Sequence, residues 1–115
     1  MKLLESTSLI VRERKALKAA ADLLREHYPV EKIILFGSKS RGDDEKHSDI
    51  DLLIVTGRTL HWKEEKTIVE ILFDVGMEYD MIFSPLFVSE DEWNRGIFTE
   101  FPVYKEIIRD GALVP

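Results

Sequence analysis

Lys32-Ile33-Ile34-Leu35-Phe36-Gly37-Ser38 and, after a charged segment, Ser48-Asp49-Ile50-Asp51-Leu52-Leu53-Ile54-Val55-Thr56 are apolar runs that meet polar residues at one end. Lys32 to Phe36 is short, almost unbroken and rich in strand formers, as suits a central strand covered on both faces. It stops at Gly37. Asp49 to Thr56 reads as a second strand. Side chains alternate along a strand, so Asp49 and Asp51 share one face while Ile50 and Leu52 point to the other. The two carboxylates form a pair. Between the runs, Ser38 to Ser48 holds several charges and no apolar side chain, which predicts a surface loop.

Working outward, Ile10, Leu17, Ala20, Ala21, Leu24 and Tyr28 fall on one helical face between Ser8 and Tyr28, and Pro29 ends that helix. After a turn at Gly57, the spacing of Ile68, Val69, Leu72 and Val75 predicts an amphipathic helix from Leu60 to Val75, with Lys63, Glu64 and Lys66 on its polar face. Tyr79 to Ser84 is predicted as a third strand, ended by Pro85. Ser89 and Glu92 have capping-box spacing, which starts a short helix over roughly residues 90 to 96. Pro102 opens a last helix that turns Tyr104, Ile107 and Ile108 toward the core before Gly111 closes it. This alternation of helix and strand predicts an α/β layer fold.

The 115 residues suit one domain spanning 1–115, and 44% hydrophobic with 33% charged residues is a globular balance. The net charge of −6, from 22 acidic against 16 basic side chains, disfavours broad nucleic-acid binding. The absence of cysteine removes disulfides and thiolate metal sites. No stretch resembles a signal peptide or reaches the ~20 apolar residues of a membrane span, so a soluble cytoplasmic protein is expected. His27, His47 and His61 lack the spacing of a zinc site. Trp62, Trp93, Phe98 and Phe101 are expected to complete the core, with a partner surface as the alternative for this aromatic group. Neither a P-loop nor a dinucleotide-binding glycine pattern occurs.

Asp49 and Asp51 carry the chemistry that needs explaining. At ~5 Å and an effective dielectric of ~20, two such charges repel by about 3 kcal/mol, a large fraction of a small domain's stability. A cation offsets this. Magnesium prefers hard oxygen ligands and takes one or two carboxylates, with water and substrate phosphate completing its shell. Gly37 leaves space for a close ligand, and the amide and hydroxyl of Ser38 can donate to phosphate oxygens. Arg41 or Lys39 would add positive charge. A phosphate cradle facing a carboxylate pair suits phosphoryl-type transfer, in which catalysis is mainly positioning and charge neutralisation.

Gly37-Ser38, ten residues, then Asp49-Ile50-Asp51 resembles the signature of the minimal nucleotidyltransferases, within the DNA polymerase β-type superfamily. Arg41-Gly42, Ser48 and the segment from Tyr104 to Leu113 resemble that family too. The resemblance implies a small mixed β-sheet flanked by helices, two Mg²⁺ ions held by Asp49 and Asp51, and a third carboxylate on a later strand. Asp80 is the natural candidate for it, ahead of Asp74, which lies in a helical pattern, and would ligate the metal beside the attacking hydroxyl. Gly37 and Ser38 would then hold the triphosphate of ATP. The resemblance also implies a partner: a helical toxin of the HEPN class, with AMP transferred to its tyrosine and this chain acting as antitoxin. The alternatives are a binding module that neutralises its partner by occlusion, and nucleotidyl transfer to a small molecule.

Overall fold

A computed structural model of the chain describes residues 1–42 and 49–115. In chain order the elements are α1 (Val11–His27), β1 (Val30–Phe36), α2 (Ser38–Arg41), β2 (Ile50–Thr56), α3 (Trp62–Tyr79), β3 (Phe83–Ser89), α4 (Glu90–Arg95), α5 (Pro102–Asp110) and β4 (Ala112–Leu113). They build a four-stranded sheet in the order β3-β2-β1-β4. β1 pairs antiparallel with β2 and β4, while β2 and β3 run parallel, so the sheet is mixed.

The apolar runs are continuous because both faces of the sheet are covered. On one face α1 and α3 pack Leu17, Leu24, Ile68 and Leu72 onto Ile33, Leu35, Leu52 and Ile54. On the other, α4, a 3₁₀ turn at Ile97–Glu100 and α5 bring Trp93, Phe98 and Ile107 against Ile34, Leu53 and Val55. Trp93, Phe98 and Tyr104 meet in tilted and edge-on ring contacts, whereas Trp62 and Phe101 are exposed and stand outside the core. The capping box expected at Ser89 is formed: Glu92 N donates to Ser89 Oγ at 3.1 Å, and Ser89 N donates to Glu92 Oε1 at 3.0 Å.

Three local expectations are corrected. Helix α3 continues past Val75 to Tyr79, and Asp80 closes it in the left-handed region at φ 57°. Gly76 does not stop this helix. A Cβ there would overlap the Met81 carbonyl, so the glycine admits the returning chain. The third strand consequently starts at Phe83 and runs through Pro85, which an edge strand tolerates because the missing N–H faces away from the sheet. Finally, Ser38–Arg41 is a helical turn with Lys39 and Ser40 buried, rather than part of a surface loop. Smaller differences are that Ile10 precedes α1 and is exposed, and that Ile108 faces solvent. His47 and Ser48 lie outside the described residues.

The α2 turn is clamped from several directions. Ser8 N and Oγ both donate to the Lys39 carbonyl, at 3.2 and 3.0 Å. Lys2 Nζ donates to the Ser40 carbonyl at 2.7 Å, and Ser40 Oγ donates to the Asp110 carbonyl at the end of α5. The N-terminal segment and the last helix thereby fix the turn that follows β1.

Candidate active site

The antiparallel register sets Phe36 opposite Asp51, so the end of β1 and the start of β2 meet at one edge of the molecule. There the chain leaves β1 through Gly37, at φ 74° and ψ −157°, and enters α2. That conformation is one L side chains rarely adopt. Space forbids a side chain independently: a Cβ on Gly37 would overlap Asp51 Oδ2 and lie 3.1 Å from its Cγ. The glycine backbone is thus the wall against which the Asp51 carboxylate rests.

Asp49 is exposed just ahead of β2, and Asp51 is half-buried within it, both on the sheet face that carries α5. Burial raises the Asp51 pKa above the usual carboxylate range, and the neighbouring charges of Asp49 and Glu106 raise it further, while Arg41 opposes them. Arg41 Nη1 stands 2.5 Å from Glu106 Oε1, and each side chain is about one-third exposed. The ion pair joins α2 to α5 beside Asp51. Ser38, half-buried, opens α2 directly after Gly37.

The expectation that Lys39 contacts phosphate is corrected. Its ammonium lies 2.8 Å from Glu13 Oε2, with only 4% and 8% of the two side chains exposed. Glu13 Oε1 in turn accepts the Ile10 N–H at 3.0 Å, which ties the pair to the start of α1. Lys39 therefore anchors α2 to α1.

Asp80 occupies the helix-closing position of α3 rather than a strand. It lies at the same end of the sheet as Asp49, because Ile50 N donates to the Ile82 carbonyl at 2.9 Å and Ile50 pairs with Phe83. Asp74 is an exposed residue within α3, as its helical pattern predicts. Among the described residues no three acidic or histidine side chains converge closely enough to hold a metal. Glu106 is the neighbour of the pair that sequence reading missed. It stands far downstream on a helix recognised only by its apolar face, and no local signal marks it.

The donor set fits magnesium. Two neighbouring carboxylates, one of them partly desolvated, match the habit of this ion, which draws its remaining ligands from water and phosphate. At the opposite end of β2 and β3, Thr56, Leu60, Glu65, Ser89 and Glu92 line a small open crevice.

A glycine turn closed onto a carboxylate pair, at the edge of a small mixed sheet, is the apparatus of an enzyme that handles nucleoside phosphates. Residues 17–111 match the nucleotidyltransferase domain family, and the chain belongs to that family. A Methanocaldococcus jannaschii protein, provisionally called a protein adenylyltransferase, is 29% identical over 104 residues, covering 89% of this chain and 97% of that protein. A second protein of that organism, provisionally given the same name, is 37% identical over 57 residues, covering 50% of this chain and 58% of its own length. Among solved structures, a chain of a toxin–antitoxin complex with AMP-PNP superposes with a TM-score of 0.57 at 20% identity, covering 87% of this chain and 70% of that one. A chain from the complex of a tri-AMPylated Shewanella oneidensis HEPN toxin with its MNT antitoxin gives 0.53 at 19% identity, covering 90% and 71%. These structural likenesses carry the fold. Among the described residues no helix is long and apolar enough to cross a membrane.

Proposed function

We propose that this chain is a magnesium-dependent protein adenylyltransferase that moves AMP from ATP to a tyrosine hydroxyl of a HEPN-type toxin, and so serves as its antitoxin. The observation that carries the reading is the seating of the Asp51 carboxylate against the bare backbone of Gly37, which sets it beside Asp49 and Arg41. Relatives called adenylyltransferases and structural neighbours from toxin–antitoxin complexes, one crystallised with an ATP analogue, support the choice of AMP and of partner.

In this mechanism Asp49 and Asp51 would hold the metal through their carboxylate oxygens. When bound, magnesium neutralises triphosphate charge and polarises the α-phosphoryl group. Gly37 admits the Asp51 carboxylate against bare backbone, the Ser38 amide and hydroxyl donate to phosphate oxygens, and Arg41, steadied by Glu106, adds positive charge. The acceptor oxygen forms a bond to the α-phosphorus as the bond to the bridging oxygen breaks, and pyrophosphate leaves. The hydroxyl proton passes to a carboxylate at this end of the sheet, for which Asp80 is the candidate. Asp80→Asn tests that role: a loss of transfer comparable to that of Asp49→Asn supports it.

The decisive experiment incubates the chain, magnesium and labelled ATP with a purified HEPN-type protein. Label on the partner that requires Asp49 and Asp51 is the expected result. Neutralisation that survives replacement of both acids by alanine, at normal expression, would instead establish occlusion. Label on a small hydroxylated compound and none on protein would redirect the acceptor assignment.

A further inference from the structure

Helix α3 carries a second pattern that the sheet does not use. Ile68, Leu72, Val75 and Gly76 are buried, yet Val69, Phe73 and Met77 on the outer side are 45%, 66% and 69% exposed. Spacing of four residues aligns these three as one stripe along the helix. The adjoining row at the same spacing is exposed throughout and runs from Lys66 into three consecutive acids, Glu70, Asp74 and Glu78, of which Glu70 and Asp74 stand three residues before Phe73 and Met77. Each turn therefore shows an apolar side chain with a carboxylate on one flank.

We propose that this face of α3 is a docking surface for a partner protein that presents an amphipathic helix, apolar along its centre and lined with lysine or arginine along one side. The charge row selects among possible occupants. Nucleic acid and anionic membranes would be repelled by three aligned carboxylates. A second copy of this chain is also disfavoured, because antiparallel two-fold packing of α3 on itself sets the acidic row against its own image. A basic-flanked helix meets both halves of the pattern: burial of Phe73 and Met77 supplies contact area, and complementary charge fixes register and direction. The stripe lies on the outer side of the helix layer, whereas Asp49 and Asp51 face the opposite layer of the sheet. Capture of the partner and transfer to it are then separable functions of one small chain. This inference rests on the proposed function only for the identity of the partner.

The test uses the full chain and a purified HEPN-type protein. Partner affinity is measured by calorimetry, ATP affinity by nucleotide titration with magnesium, and oligomeric state by sedimentation. Phe73→Ser combined with Met77→Ser is expected to weaken the complex at least about tenfold, with thermal unfolding and ATP affinity unchanged. Replacing Glu70, Asp74 and Glu78 together by lysine should weaken it similarly and reduce its salt dependence. Asp49→Ala with Asp51→Ala should bind the partner as wild type does. Unaltered affinity in either α3 variant overturns the proposal. So does a wild-type dimer that Phe73→Ser with Met77→Ser dissociates, which would make the face a self-association surface. A complex that depends on α3 but acquires no label leaves the docking surface standing and removes the transfer reaction instead.

Discussion

Gly37 answers to two constraints that act independently, its left-handed φ and the Asp51 carboxylate where a Cβ would sit. Gly37→Ala is therefore expected to cost about 1–3 kcal/mol of stability through backbone strain. It should lower nucleotidyl transfer about a hundredfold by displacing Asp51. Denaturant unfolding and single-turnover labelling measure the two effects. Asp51 itself should show the opposite balance. Its pKa is raised by burial, Asp49 and Glu106, so its ionisation opposes folding. The penalty is absent below the unfolded pKa and complete above the folded one. In metal-free buffer, Asp51→Asn should raise Tm at neutral pH, with a gain held below about 1 kcal/mol by solvent screening. That gain should vanish as pH falls through the Asp51 pKa. A Tm series from acid to neutral pH in chelator checks the sign. Lys39 belongs with stability: Lys39→Met leaves Glu13 charged and buried, an expected loss of about 3–5 kcal/mol in urea unfolding, which Glu13→Leu in the same chain should largely restore.

Among the elements, those with a strong local signal were readable and those decided by distant partners were not. The Ser89–Glu92 box is wholly local, and helix α4 begins where that spacing predicts. Ser89→Ala should cost about 1 kcal/mol and lower Tm by several degrees, while Glu92→Gln keeps most of the cap. The apolar runs of β1 and β2 and the shared face of Asp49 and Asp51 likewise followed from pattern. The apolar spacing that marks α3 lapses after Val75, although the helix runs on through Gly76, which admits the Met81 carbonyl. That displaced the third strand and moved Asp80 from strand to helix end. Lys39 misled for a different reason. Beside Ser38 and Arg41 it looks like a phosphate ligand, and nothing in its neighbourhood announces Glu13 on another helix. Strand β4, two residues long, has too little pattern to register.

Across the whole molecule, the small sheet depends on that short strand. β4 pairs with Ile34 and Leu35, Val114 N donates to the Ile33 carbonyl at 2.9 Å, and Arg25 reaches the Val114 and Pro115 carbonyls at 2.9 and 2.6 Å. Removing residues 111–115 would bare the hydrogen-bonding edge of β1, which is hydrophobic on both faces. Such an edge recruits other chains. The expected outcome is concentration-dependent association, seen by light scattering, together with a lower Tm. The mixed sheet also explains why the candidate site was more legible than its surroundings. Gly37 and Asp51 are joined by one antiparallel register, while Glu106 arrives only through the packing of the final helix.

Lys2 and Asp110, one from each end of the chain, hold opposite sides of Ser40. The turn that follows Gly37 is in effect strung between residues 2 and 110, so a substitution of Lys2 or Ser40 reaches the site without touching it.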